Sequence, residues 1–169
     1  MELIRRATTS GDWEQADALL HDHLEWIRTA AGVDLLVEQS DVASELASLP
    51  EEYGGSDGAL FLAYVGQMAV GVVAIRGAHD GTAELKRMYV RPVARGRGIA
   101  DRLLAMVLDF AACRGWPAVW LETLVGVMDP AIAVYRRNGF EVADHRPPTL
   151  LLDGVVVMQH TVACHVRSA

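Results

Sequence analysis

Cysteine is nearly absent from this chain. Cys113 and Cys164 are the only two among 169 residues, and neither falls in a CxxC or Cys/His spacing. That excludes a disulfide scaffold and a thiolate zinc site. The first residues, Met1-Glu2-Leu3-Ile4-Arg5-Arg6, lack the apolar core of a secretory signal, so a reducing cytoplasmic compartment is expected. Repeats, low-complexity tracts and linkers are missing too, so residues 1–169 are expected to form one domain. Positive charge is scarce: 15 Lys and Arg stand against 22 Asp and Glu, a net charge of −7. Such a field repels a phosphate polymer, and no nucleic-acid partner is expected. Hydrophobic residues at 51% supply enough apolar material to offset ordering entropy, which excludes a disordered chain.

Long apolar runs are limited to one. Gly58 to Ile75 reads GALFLAYVGQMAVGVVAI, with Gln67 its one clearly polar side chain. Its length approaches a membrane span. Gly66-Gln67 at its centre reads as a two-residue turn, and its flanks are rich in the β-branched and aromatic types that strands favour. Two buried strands, Ala59–Val65 and Met68–Arg76, are therefore expected, with no membrane association.

The remaining elements follow from caps and periodicity. Leu3–Arg6 suggests a first strand. Thr9, Ser10 and Asp12 offer N-caps for a helix to about Ala30, with Trp13, Ala16, Leu19, Leu20 and Ile27 on one stripe. Ser40-Asp41 opens a second helix ending near Pro50, followed by a loop from Glu51 to Gly58. Thr82–Val90 reads as a third consecutive strand. A long helix follows Gly98, with Gly115 and Pro117 as its stop. Ala118–Glu122 is a short buried strand. Asp129 caps a short helix with Pro130 in its first turn. Phe140–Ala143 and Val155–Val162 complete the set. The order β-α-α-β-β-β-α-β-α-β-β describes an α/β fold with a mixed, mostly antiparallel sheet of about seven strands and about four helices.

Chemistry concentrates between residues 86 and 102. Lys86, Arg87, Arg91, Arg95, Arg97 and Arg102 fall there beside a single acid, Asp101, leaving nine basic and twenty-one acidic residues elsewhere. One basic island on an acidic protein suits a small anion better than a polyanion. Arg95-Gly96-Arg97-Gly98-Ile99-Ala100 lies where a strand gives way to a long helix. First-turn amides there lack backbone partners and carry the positive end of the helix dipole. Glycines let a phosphate approach them. A dinucleotide fingerprint would need a third glycine where Asp101 stands, and the Gly-Lys-Ser/Thr end of a P-loop is missing. The bare alternative is a glycine-rich turn with solvated arginines.

These residues resemble a known family. The run from Glu84 to Leu104 is similar to the acetyl-CoA-binding signature of the GCN5-related N-acetyltransferases: Arg95-x-x-Gly98-x-Ala100 fits its Gln/Arg-x-x-Gly-x-Gly/Ala. Ala131-x-x-x-Tyr135-x-x-x-Gly139-Phe140 fits a second signature some forty residues on, and the element order agrees throughout. The resemblance implies acetyl-CoA as co-substrate, with no metal. The amides of Arg95, Gly96, Arg97, Gly98, Ile99 and Ala100 would hold its diphosphate. The backbone around Met88, Tyr89 and Val90 would pair with the pantetheine arm, where two parallel strands splay apart. Tyr135 would donate a proton to the departing thiolate, and Glu84 would take one from the amine, with Glu122 as the second candidate. The implied reaction is direct acetyl transfer to a primary amine, of a small molecule or a peptide, in a ternary complex. The alternatives are an acyl-CoA-binding module without catalysis, or a nucleotide-binding domain of another class. A homodimer through an edge strand is a further possibility the family suggests. One departure is Met128, where many members carry a cofactor-contacting asparagine.

Other residues are expected to be structural. His21 and His23, two apart on a helix, point in different directions, and His145, His160 and His165 show no ligand spacing. Cys113 is expected to pack on its helix. Glu84 has a structural alternative as the partner of Lys86. Trp26 and Tyr53 are candidates for substrate contacts. The acids Glu25, Asp34, Glu38, Asp41, Glu45, Glu51 and Glu52 around them either attract a cationic amine or form a solvated helix face.

Overall fold

The apolar run folds as a hairpin inside a sheet. In the computed structural model, which describes residues 2–39 and 41–163, strands β1 (Glu2–Arg6), β2 (Gly58–Val65) and β3 (Met68–Gly77) are antiparallel neighbours. Gly66-Gln67 is the turn, and Gly66 takes a φ of +63°. The run is continuous because β2 and β3 are buried on both faces. Leu60, Leu62, Tyr64, Val72 and Ala74 pack beneath Ala16, Leu19 and Leu20 of helix α1 (Ser10–Ala31). Phe61, Ala63, Val73 and Ile75 pack on the other side. Across that second layer lie Ile99, Leu103, Val107 and Ala111 of the long helix Ile99–Arg114. Truncating one such fully buried leucine, Leu103→Ala, costs about 2–5 kcal/mol. No helix among the described residues is long and apolar enough to cross a membrane.

The local signals act as their chemistry dictates. Thr9 caps α1 through a reciprocal pair with Asp12, whose amide lies 3.2 Å from the Thr9 hydroxyl. Asp12 also accepts from the amides of Thr8 and Thr9 and from the Tyr64 hydroxyl. The second helix departs from expectation. Instead of one helix from Ser40-Asp41 to Pro50, three short ones occur: α2 (Leu35–Glu38), α3 (Val42–Ala47) and α4 (Leu49–Tyr53). Asp34 caps α2 through its side chain. Pro50 lacks the amide needed to prolong α3 but fits the first turn of a new helix. The expected loop after Glu51 therefore begins as helix, and the described residues hold six α-helices against the expected four or so.

Strands β4 (Ala83–Val90), β5 (Ala118–Leu124), β6 (Glu141–Val142) and β7 (Val155–Thr161) complete a seven-stranded sheet of order β1-β2-β3-β4-β5-β7-β6. All neighbours are antiparallel except β4 and β5. These pair in parallel only at Ala83 with Val119 and Glu84 with Trp120, then part. The expected splayed pair is thus present. The long helix is α5, and α6 (Asp129–Arg137) follows β5. Met128, one residue earlier than expected, is its N-cap.

A bulge helps to open the sheet. Pairing of β3 with β4 steps from Val72–Tyr89 to Ala74–Lys86, so Arg87 and Met88 stand opposite Val73 alone. Arg87 is the only non-glycine described residue with positive φ, +59°. Such a bulge bends its strand and strengthens its twist. Here it turns β4 beside the point where β5 leaves.

Candidate active site

Two cavities meet where β4 and β5 part. The first, about 280 Å³, is walled by Met88, Tyr89 and Val90 of β4, by the loop and first turn of α5, and by Pro130, Ala131 and Val134 of α6. The second, about 120 Å³, lies between Glu84–Arg87 of β4 and Leu121–Leu124 of β5, under Leu150 and Leu152. His23, Met88, Met128 and Tyr135 line both. These four side chains form the wall that the two cavities share.

The first cavity is lined by a glycine loop whose backbone amides have no partner among the described residues. Gly98, the N-cap of α5, has φ +71° and makes no side-chain capping bond. The amides of residues 96–100 donate to no protein acceptor among the described residues. A Cβ at Gly96 or Gly98 would meet nothing within 4 Å. Five unspent donors at the positive end of a sixteen-residue helix, with open space before them, suit a phosphate. Asp101, in the first turn, is turned aside: Arg137 grips it through two bonds of 2.7 Å and Asn138 adds a third. Beyond Glu84, β4 has no strand partner on its β5 side, so the backbone of Met88–Val90 is open to an extended ligand.

The basic island is mostly consumed by internal pairs. Arg91 holds Asp22 at 2.8 Å, while Arg97 and Arg102 both face Glu2. Lys86 and Arg87 point away, toward Glu45. Arg95 remains at the first cavity, lying over the rings of Trp26 and Tyr89 and donating to the Val90 carbonyl at 2.9 Å. Met88, Tyr89, Val90, Arg95, Gly96, Gly98, Ile99, Ala100 and Tyr135 thus come together, whereas the Arg97 side chain turns outward.

Tyr135 occupies the junction. It is 6% exposed, packs on Phe140, and its hydroxyl has no partner among the described residues. Burial pushes its phenol well above the ordinary value, so it is a proton donor at any physiological pH. Met128 stands beside it and accepts a long contact from the Thr123 hydroxyl at 3.7 Å. It presents a thioether where an asparagine would present an amide.

The carboxylates divide their roles. Glu84 lines the second cavity and accepts from Arg76 Nε at 3.2 Å; its partner is Arg76 of β3, not Lys86. Glu122 lines the same cavity and accepts from the Thr149 hydroxyl and the amides of Thr149 and Leu150. It fixes the segment that roofs the cavity. Lys86 Nζ sits 2.9 Å from Glu45 Oε2, and Arg87 spans both Glu45 oxygens. Burial raises the Glu45 pKa, but the bonds from Arg87 and Lys86 outweigh it and hold the carboxyl at about 2.

Several expectations are corrected. Tyr53 is fully buried and donates to Glu45 at 2.6 Å, so it touches no cavity. Glu45 is an internal counter-ion and Asp41 and Glu52 lie near Arg76, so these three acids are paired within the protein. Cys113 is exposed rather than packed. Cys164 and His165 lie outside the described residues, as does Ser40. His23 was the residue that spacing hid. It is 7% exposed, stacks on Tyr89 at 5.3 Å, and its Nδ1 has no partner. Burial and the Arg87 charge lower its pKa to about 3, so it is a neutral imidazole. No metal-holding cluster of His, Cys, Asp and Glu occurs among the described residues.

Known proteins resemble this chain in sequence and in fold. Over residues 16–140 the chain matches the Acetyltransferase (GNAT) family. It is 31% identical over 121 residues to an uncharacterized N-acetyltransferase of Schizosaccharomyces pombe, covering 69% of this chain and 72% of that one. It is 35% identical over 75 residues to the uncharacterized N-acetyltransferase YjgM of Escherichia coli K12, which is 44% of either chain. The match therefore spans less than half the length of that relative. Among solved structures, the PaiA N-acetyltransferase of Thermoplasma acidophilum, in complex with coenzyme A, superposes with a TM-score of 0.74. The identity is 17%, and 95% of this chain and 99% of that one are covered. At that identity the likeness is one of fold.

Proposed function

The chain belongs to the GNAT family of acetyltransferases, and we propose that it moves an acetyl group from acetyl-CoA to a primary amine by direct attack in a ternary complex. The observation that carries this reading is the meeting of the two cavities at Tyr135. A cofactor arm in the larger cavity and an amine in the smaller one face each other there.

The residues of the first cavity fit the co-substrate. Five unpartnered amides at residues 96–100 suit the diphosphate, and the open β4 backbone at Met88 and Val90 suits the pantetheine amides. The coenzyme A bound by the Thermoplasma relative supports the same assignment. When bound, acetyl-CoA supplies an activated thioester. The protein's part is to orient the amine, remove its proton and offer one to the leaving sulfur. Glu84, whose side chain lines the second cavity, takes the proton, directly or through a water. Tyr135 donates from a dry position, where a hydrogen bond is worth more than in water. The neutral His23 beside it adds no charge to the junction. The transfer is direct, without a covalent acetyl-enzyme, and among the described residues neither cavity is lined by a cysteine.

The test is calorimetric titration of acetyl-CoA into the protein, with NAD and ATP as controls, followed by thiol release with an amine series. Micromolar binding of acetyl-CoA alone, with amine-dependent thiol release, is expected. Binding without turnover of any amine would leave an acyl-CoA-binding module, and absence of binding would end the reading.

A further inference from the structure

Of the four side chains in the wall the cavities share, Met88 and Met128 have no hydrogen to donate. Tyr135 has one, presented from α6, and His23 has one, presented from α1. His23 is more than nine-tenths buried. Its ring is fixed by stacking on Tyr89 of β4, with the planes 19° apart and the centroids 5.3 Å apart. Nδ1 is sealed from solvent and bonds nothing. Nε2 bonds no described residue either, but it is not sealed, so it opens on the two cavities that the ring lines. A neutral imidazole carries a single N–H. On Nδ1 that hydrogen would be a buried donor without an acceptor, which folded proteins avoid. On Nε2 it reaches the cavities. Burial and the Arg87 charge keep the ring in this neutral form.

On the acetyl-transfer reading above, on which this rests, we propose that His23 is a catalytic residue whose Nε2–H donates to the thioester carbonyl oxygen of acetyl-CoA. Two atoms of a thioester gain negative charge under attack by an amine. The carbonyl oxygen gains it as the C–N bond forms, and the sulfur gains it as the C–S bond breaks. Tyr135 has one hydroxyl hydrogen and serves the sulfur, so the oxygen needs another donor. The α1 and α6 helices pack on opposite faces of the sheet, so His23 and Tyr135 flank whatever lies in the splay between them. Nε2–H holds the electron pair displaced onto the oxygen, and the return of that pair expels the sulfur, to which Tyr135 gives its proton. Glu84 takes the proton of the amine, and solvent returns one to Tyr135. His23 keeps its own proton throughout. A ring this reluctant to gain a second proton is a poor base and a steady donor.

The probe is acetyl-CoA labelled with carbon-13 at the acetyl carbonyl, added to the unmodified protein and to His23→Phe, His23→Gln and His23→Asn after calorimetry has measured its binding to each. Phenylalanine keeps a ring to stack on Tyr89 and removes both nitrogens. Glutamine returns an N–H near the Nε2 position, whereas asparagine reaches only as far as Nδ1. Isotope-difference infrared isolates the carbonyl stretch of the bound thioester. It should lie lower in the parent and His23→Gln than in His23→Phe and His23→Asn. With an amine that turns over, kcat should fall about 10²-fold in His23→Phe and His23→Asn and recover in large part in His23→Gln. KM for acetyl-CoA should change little in all three. Equal carbonyl bands in the parent and His23→Phe, or full turnover by His23→Phe, overturn the inference and leave acetyl transfer standing. Loss of the acid limb of the pH–rate profile in His23→Phe would make His23 the base and overturns it as well. Failure of acetyl-CoA to bind the parent sinks the acetyl-transfer reading itself. Should His23→Phe fail to fold, His23→Gln against His23→Asn makes the same comparison.

Discussion

Arg87 grips Glu45 through two parallel hydrogen bonds of 2.9 Å, and does so from a left-handed backbone conformation with φ +59°. A non-glycine residue held there costs about 1–2 kcal/mol, so the surrounding contacts must over-determine it. Lys86 and Tyr53 bond the same carboxylate, which ties α3 and α4 to the bulge of β4. The bulge that opens the sheet is therefore locked by an ion pair from the helical segment over it.

Glu45→Gln leaves Arg87 buried without its ion-pair partner and Lys86 with only the exposed Asp41, 3.7 Å away. A loss of about 3–5 kcal/mol is expected, a fall in Tm of roughly 10 °C for a chain of this size. The pH dependence has a defined sign. The folded carboxyl sits at about 2, below its ordinary 4.5, so its stabilisation is whole above about 4.5 and disappears as pH falls toward 2. Thermal melts between pH 2.5 and 7 should show a steeper acid decline for the parent protein than for Glu45→Gln. Equal melting at pH 7 would show that the pair stabilises nothing.

This cluster marks the limit of what the sequence discloses. The hairpin turn at Gly66, the Thr9 capping pair and the Gly98 turn act through a few adjacent residues, so their chemistry can be read locally. That the glycine loop opens α5, and that Tyr135 lines the same cavity as that loop, was legible for the same reason, because backbone demands and motif spacing coincide there. Glu45 and Arg87 lie 42 residues apart in the chain, and only the packing of α3 on the sheet makes them partners. His23 belongs to the same class. Its helical neighbours say nothing of the cavities it reaches, because Tyr89 and the splay of β4 put them there. Lys86 misled by proximity: Glu84 lies two residues away on its strand, yet its partner is Arg76 across the β3–β4 pairing.

Gly98→Glu should weaken acetyl-CoA binding by tenfold or more while the fold persists. Space is not the obstacle, since nothing lies within 4 Å of a Cβ there. The positive φ strains any side-chain-bearing residue, and a carboxylate at the start of α5 repels phosphate. Gly98→Ala keeps the strain and omits the charge, so it should lose less affinity. Calorimetry on both variants separates the two effects. Equal affinity in all three proteins would remove this loop from the cofactor site.

Tyr135→Phe should lower kcat by about 10²-fold with KM for acetyl-CoA nearly unchanged. The hydroxyl is not tied to any other described side chain, so its removal disturbs little packing. Because burial raises its pKa far above neutrality, the parent's pH–rate profile should show no alkaline fall from Tyr135 below pH 10. Retention of full turnover by the phenylalanine variant would assign the proton donor elsewhere.

The two carboxylates of the second cavity should answer differently to the same change. Glu84→Gln removes an ionised oxygen facing the amine and leaves Arg76 still near Asp41 and Glu52, so the fold is kept. A drop of about 10²-fold in kcat and loss of the acid limb of the pH–rate profile are expected if it is the base. Glu122→Gln keeps one acceptor oxygen but weakens the hold on Thr149 and Leu150, which roof the cavity. Its expected effect is on KM for the amine, with kcat and the acid limb largely preserved. If Glu122→Gln instead abolishes the acid limb and Glu84→Gln leaves it, the base lies on β5.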